Sequence, residues 1–387
     1  MNNLMNEDKI IKTSKPHTSK VNFGIWLGLI TLFSILGIYY RLNNKVFGEL
    51  VFRNRGALYT VSPDDSGLVK LVNQNIYLAT LGLEWHRFKI TNYKYLPHLF
   101  NISSDMNAQW SPDASHIAYR SSVDGMSHIY LLSTNREGEQ RLTYNVNVLY
   151  FSWLNGKEIL AATLDGQVYL LDTESRQVSA IPCLSNGFMD VSPDGYKVVA
   201  GNRNGISSEL LVVSLDCSQT TIIAQHDIGI CDASWSPSID EILFVKANYV
   251  TKVTQNGDAF ETFECNQIFR ANSDGSNQVR LDNDDYSSKY YIEWSPDGER
   301  IAFATNDVHY VQDMYVMNRD GSDLIRLTNS PAYDGYPIWS PDSNELAFGY
   351  NDDVKNESGI LIYNMNDSTL RPIAVNQYGG NSISWRP

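Results

Sequence analysis

Basic charge is scarce in this sequence. Its 387 residues carry 30 Lys and Arg against 44 Asp and Glu, a formal net charge of −14. Nucleic acid is therefore excluded as a partner, because phosphate binding needs a basic patch that releases counterions. Charged residues of both signs make up only 19%, and hydrophobic residues 43%, which is too apolar for a disordered acidic chain. With 25 Gly and 13 Pro beside 23 Tyr and 14 Phe, neither a collagen-like nor a coiled-coil chain fits. Cysteine is sparse as well: four residues, none before Cys183, so no lipid-attachment cysteine is present.

The motifs of common catalysts are missing too. There is no HExxH, and the seven histidines (His17, His86, His98, His116, His128, His226 and His309) include no pair four apart. No sialidase-type Asp box occurs, and the runs Asn283-Asp284-Asp285 and Asn351-Asp352-Asp353 do not fit a calcium-loop spacing. No metal, cofactor or catalytic residue is therefore expected.

One long apolar run is present. Val21 to Tyr40 is 20 residues without a charge, and as a helix it would span roughly 30 Å, the thickness of a bilayer core. Trp26, Tyr39 and Tyr40 suit interfacial positions. The run is too long for a signal-peptide core and ends in Tyr-Tyr-Arg rather than in small residues. It predicts an uncleaved single-pass anchor behind a short cytoplasmic tail, residues 1–20. Lys9, Lys12, Lys15 and Lys20 precede the span, and Arg41, Lys45, Arg53 and Arg55 follow it. That tie leaves orientation to the rule that long domains translocate largely regardless of charge, so the C-terminal domain is expected outside the cytoplasm.

Beyond residue 48 the chain repeats. AQWSPDASHIAYRSS (108–122), YFSWLNGKEILAAT (150–163), MDVSPDGYKVVAG (189–201), ASWSPSIDEILFV (233–245), IEWSPDGERIAFAT (292–305), PIWSPDSNELAFGY (337–350) and SISWRP (382–387) share one phase. The Trp position, a Val in the third unit, recurs at spacings of 43, 38, 44, 59, 45 and 46. A period near 44 is that of a four-stranded propeller blade. The run into Trp is the inner strand A. Ser-Pro-Asp-Gly is a type I turn, and strand B follows, then C, a Gly- or Asn-containing turn and D. Turn geometry fully accounts for the repeated Asp113, Asp194, Asp297 and Asp342.

The blade count follows from the ends. Residues 48–72 supply strands B, C and D with no A before them, while SISWRP is an A with nothing after it. Together they complete one blade, so the C-terminal strand, 379–387, closes the ring and removes its open edge. The prediction is an all-β, seven-bladed β-propeller over 48–387, with six or eight blades as the alternatives. Six would need about 50 residues each, against a usual period of about 40–45.

At these residues the chain resembles the TolB-like propeller family, whose repeat carries W-S-P-D-G, an I-A-F strand and an I-Y-x-M-x-x-D-G hairpin. The match is strong over 292–328 and degenerate over 150–181, where Leu154 and Asn155 replace Ser-Pro. Familiar members are exported, to the periplasm for example. They bind other proteins or gate a peptidase, and the propeller itself does no chemistry. A peptidase of that kind would need an α/β-hydrolase domain with a Gly-x-Ser-x-Gly elbow, for which the chain leaves no room. The family's best-known protein is soluble with a separate N-terminal α/β domain; a membrane span takes that place here.

The resemblance and the missing motifs together imply a non-enzymatic, membrane-anchored scaffold that binds other envelope proteins. The rival is a sugar- or peptide-binding protein or enzyme with its site at the channel mouth. Asp105 and Asp334, each five before its Trp, would then lie in D–A loops facing the pore. A sensor signalling through residues 1–20 is disfavoured, since that tail is too short to fold.

Two insertions break the period. One, between Val72 and Trp110, is a D–A loop rich in aromatics, with Trp85, Arg87 and Phe88 among its candidate anchors. The other, 249–264, reads as a protruding B–C hairpin with an Asn-Gly turn, carrying Tyr249, Phe260 and Phe263. Both emerge on the same face of the ring and would form the partner surface, unless they fold back over apolar blade edges.

Cys183, Cys217, Cys231 and Cys265 are even in number. Cys231 on strand A and Cys265 on strand C of one blade should stand two strand spacings apart, about 9.6 Å. That exceeds what a bridge tolerates. No disulfide is expected.

Overall fold

The computed structural model describes residues 49–387 except 55–56, 74–107, 124–125, 135–137, 185–189, 205–206, 254–258, 285–286, 307–311, 330–331, 353 and 376–382. The described residues form seven four-stranded antiparallel sheets, one per repeat. We number the blades by their inner strands: Ala108–Trp110, Val148–Trp153, Asp190–Val191, Ile230–Trp235, Lys289–Trp294, Tyr333–Trp339 and Ile383–Trp385 for blades 1 to 7.

The A–B turn shows why the Ser-Pro-Asp motif recurs. In blade 5 the Ser295 hydroxyl donates to Asp297 (2.5 Å), and the same carboxylate accepts the Glu299 N–H (3.0 Å). Ser295 Oγ also accepts the Arg300 N–H that starts strand B (2.9 Å). Blades 1, 3 and 6 repeat the pattern through Ser111–Asp113, Ser192–Asp194 and Ser340–Asp342. The next residue is left-handed, φ 74° at Gly298 and 60° at Ser343, a conformation Gly reaches without cost. In the degenerate turn of blade 2 Asn155 does the carboxylate's work, accepting the Lys157 and Glu158 N–H groups.

Closure is by the C-terminal strand. Leu50, Val51 and Phe52 pair antiparallel with Trp385, Ser384 and Ile383, placing blade 7's inner strand at one end of the chain and its other three at the other. Apolar residues from adjacent blades fill the gaps between sheets. Trp385 packs with Leu50 and Phe52 of its own blade and with Ala347, Ile360 and Ile362 of blade 6. Its indole N–H donates to the Ile338 carbonyl (2.9 Å), as Trp153 does to Gln109 (3.3 Å). Trp385 and Trp153 therefore both fill and lace the seams between blades.

Both pairs of cysteines are bonded, contrary to the flat-ladder expectation. Cys231 joins Cys265 with Cα atoms 6.0 Å apart. Two bulges make this possible: the register slips at Cys231 on strand A and at Asn266 on strand C. Bulges bend and twist a strand out of the flat ladder. The residue across from Cys265 is Ala247, which is fully buried and small enough to lie in one cluster with both cysteines. Cys183 joins Cys217, with Cα atoms 5.6 Å apart, and links blade 2 to blade 3.

The long hairpin of blade 4 is present, as strands Glu241–Val253 and Ala259–Asn272. Cys265 pairs with Ala247, one residue away from the register that a two-residue Asn-Gly turn would impose. Among the described residues no helix is long and apolar enough to cross a membrane; the apolar run Val21–Tyr40 lies outside them.

Candidate functional site

The inner strands position the site. Side chains alternate along a strand, so when each Trp is buried in a seam, the residue before it faces the channel. Those residues are Gln109, Ser152, Asp190, Ser234, Glu293, Ile338 and Ser384. All but Ile338 are polar. Several reach across to the next blade: Gln109 Nε2 donates to the Phe151 carbonyl (3.2 Å), and Ser384 Oγ accepts the Trp110 N–H (3.2 Å).

Three carboxyls dominate this wall. Asp190 accepts the Trp235 N–H of blade 4 (2.8 Å) and the Val191 N–H (2.7 Å). Asp232 accepts the Ile292 N–H of blade 5 (3.3 Å) and the Ala233 N–H (3.0 Å). Glu293, on blade 5, feels the charges of Asp190 and Asp232. The inner strands of these three consecutive blades adjoin, so the carboxyls lie along one side of the channel wall.

Burial among the inner strands pushes Asp190 up to about 6, with its hydrogen bonds opposing the shift. Burial, and then the charge of Asp190, pushes Asp232 up to about 7 against the bonds from Ile292 and Ala233. Glu293 is raised well above the ordinary carboxyl range by burial and by both neighbours. All three keep part of their surface open to the channel, so they are enclosed but reachable. A carboxyl raised well above the ordinary range beside two pushed up to about 6 and about 7 is an acid–base arrangement.

The residues singled out from the sequence fall elsewhere. Asp334 is not on a pore-facing loop. It sits within blade 6's inner strand opposite Tyr350 and is fully buried. Asp105 and the insertion residues Trp85, Arg87 and Phe88 lie outside the described residues. On the hairpin, Tyr249 is 60% exposed. Phe263 is half-buried and packs against the cluster around Cys231 and Cys265; it is the cross-strand partner of Tyr249, so the two share one face of the hairpin, with Phe263 covered and Tyr249 largely open. Phe260 pairs with Lys252, and its side chain lies outside what is described. Sequence reasoning missed the channel carboxyls. The signal was available: Asp190 and Glu293 occupy the position before the Trp phase in their repeats.

The fold and its channel define a seven-bladed β-propeller. No family model matches the sequence, and no curated protein matches it either. Solved structures do resemble it. An oligogalacturonate lyase from Vibrio parahaemolyticus is 13% identical over 84% of each chain, with a TM-score of 0.56. An oligogalacturonate lyase in complex with manganese is 14% identical over 84% of this chain and 85% of that one, TM-score 0.56. TolB from Acinetobacter baumannii is 17% identical over 90% of this chain and 70% of that one, TM-score 0.50. The TolB-like likeness seen in the repeats thus extends to the fold.

These likenesses correct the expectation of a non-enzymatic scaffold. That expectation ran from the fold to an absence of chemistry, and the fold is shared with lyases, so it is withdrawn. Among the described residues no three His, Cys, Asp or Glu side chains group as a metal site.

Proposed function

We propose that the propeller acts on a small saccharide in its channel by acid–base chemistry, with Glu293 as the proton donor and Asp190 and Asp232 as the paired carboxylates. The observation that carries this reading is Glu293, a channel-wall carboxyl raised well above the ordinary range by burial and by the charges of Asp190 and Asp232. The fold's likeness to two oligogalacturonate lyases supports a sugar as the substrate class. The charge argues against a polyanionic one, since three carboxyls on the wall and a net −14 would repel it. An uncharged or amine-bearing oligosaccharide fits better: carboxylates accept from hydroxyl and ammonium groups alike.

The same reading keeps Val21–Tyr40 as a membrane anchor behind a short tail (1–20), with the propeller (48–387) outside the cytoplasm. Two disulfides support a compartment of that kind, because cytosolic thiols are held reduced.

The test is a panel of neutral, amino and uronic oligosaccharides assayed for turnover, with Glu293→Gln and Asp232→Asn beside the wild type. Cleavage of a neutral or amino sugar, lost in Glu293→Gln, is expected. Turnover that survives both substitutions, or turnover confined to uronic substrates, would overturn the reading.

A further inference from the structure

The inner strands of blades 5 and 6 carry the same irregularity at the same place. Three residues before the Trp stands Tyr291 in one and Tyr336 in the other, and both are left-handed, φ 56° and 60°. Among the described residues these are the two non-glycine left-handed positions that fall inside a strand; the others lie in turns and loops. The register slips at both, between Tyr290 and Glu293 and between Gly335 and Ile338. A bulky side chain at positive φ is costly. Bulges re-aim side chains, and strain of this kind gathers at functional sites.

Two consequences follow for the channel wall. In blade 5 the N–H groups of the consecutive residues Tyr291 and Ile292 both donate to Asp232 of blade 4. The rings of Tyr291 and Tyr336 meet between the two blades, centroids 4.2 Å apart and planes 36° from parallel. Gly335 makes room for them, since a Cβ there would lie 3.2 Å from the Tyr291 ring. Tyr291 and Tyr336 are half-buried, and Tyr333, which adjoins Tyr336, is 47% exposed. Two residues on from the tyrosines, along the same strands, stand Glu293 and Ile338. Ile338 is the one apolar residue among those that precede the Trp position. The wall thus passes from carboxyls on blades 3 to 5 to an uncharged aromatic and aliphatic strip on blades 5 and 6.

We infer that this strip is a sugar-stacking subsite: the Tyr291–Tyr336 pair, with Ile338 beside it, takes the apolar C–H face of one sugar ring while Asp232 and Glu293 meet its hydroxyls. The inference rests on the saccharide reading above and adds where the sugar is held. A pyranose presents C–H groups on its faces and hydroxyls around its rim, so a site for it needs an apolar surface set against a polar one. Aromatic lining with a few convergent polar groups is the usual make-up of a small-molecule site. Tyrosine suits the task because its ring is apolar and its hydroxyl can still bond to the ligand. Packing alone does not call for the strain, since Ala302, Met314, Trp339 and Phe348 already fill the seam beneath the rings.

Cellotriose and the corresponding glucosamine trimer are titrated by calorimetry into the full chain, wild type and Glu293→Gln, each with and without Tyr336→Gly or Tyr336→Phe. In the Glu293→Gln background, where turnover does not intervene, Tyr336→Gly should weaken binding about 10-fold or more, the loss of one aromatic contact. Tyr336→Phe keeps the ring and should bind within about threefold of its parent. In the wild-type background the loss from Tyr336→Gly should fall on KM more than on kcat. Glycine reaches φ 60° without cost, so Tyr336→Gly should melt within a few degrees of its parent, and lost binding is then not lost fold. Equal affinity in Tyr336→Gly and its parent would overturn the subsite. So would an equal loss in Tyr336→Phe, or a wild type that binds neither trimer. Trimers that bind through Tyr336 and are never turned over would support the subsite and overturn the acid–base reading.

Discussion

Cys217 stands in a left-handed backbone conformation, φ 59°, and is bonded to Cys183 of the preceding blade. The equivalent turns of blades 4 and 5 place Gly275 and Gly321 there, at φ 83° and 85°. At Gly321 a Cβ would lie 2.3 Å from the Leu281 carbonyl oxygen of the previous blade. The C–D turns of blades 4 and 5 thus press on the outer edge of the blade before. Blade 3 replaces that glycine contact with a covalent bond.

Losing this bond should be costly. It closes a loop spanning 34 residues, for which chain entropy gives about 3–4 kcal/mol. Cys183→Ser should lower Tm markedly by calorimetry under oxidising conditions. Restoring glycine at the turn should recover part of it, so Cys183→Ser with Cys217→Gly should exceed Cys183→Ser with Cys217→Ser by about 1 kcal/mol.

The ring depends on Trp385. It is 6% exposed, and its indole N–H holds the Ile338 carbonyl. Trp385→Ala should cost about 3–5 kcal/mol. Deleting 379–387 should go further by exposing the Leu50–Asn54 edge, with a lower Tm and concentration-dependent association in light scattering. A truncated chain that melts with the parent would refute closure.

Glu293 should make stability fall as pH rises. Its folded pKa lies above the unfolded value of 4.5, so the unfolded chain releases its proton first. The folded state loses ground from about pH 4.5 upward until the folded pKa is passed. Glu293→Gln should therefore match the wild type near pH 4. At pH 8 it should be the more stable of the two. A pH-independent difference in Tm would show that the carboxyl is not held neutral.

Asp297→Ala tests the division between scaffold and site. The substitution removes the Ser295 and Glu299 bonds and should cost about 1–2 kcal/mol without altering saccharide turnover. Asp190→Asn keeps a carbonyl acceptor for one backbone bond, yet should slow turnover by about 10²-fold or more.

Much of the architecture was legible because its causes are local. The Ser-x-Asp turn, the left-handed position after it and the Trp before it all lie within a few residues, so each repeat announces its own hairpin. Ring closure was legible too, since a lone strand A at the C-terminus and a missing one at Gly48 can satisfy each other's edges in only one way. The channel carboxyls were half legible. Asp190 and Glu293 share a phase, but what raises them is first of all burial among the inner strands of neighbouring blades, which no single repeat encodes.

What the sequence by itself determined, then, is the blade and its count, through turn chemistry and alternation that act over short stretches of chain. The tertiary structure alone decided three things. Two bulges brought Cys231 to Cys265 against the flat-ladder spacing. The press of one blade's turn on the next set Cys217 against Cys183. The packing of blade 6 on blade 5 buried Asp334, which its position five before Trp339 had suggested for the pore. Each depends on twist and contact between segments far apart in the chain, and a repeat read one unit at a time holds no information about the distance between neighbours.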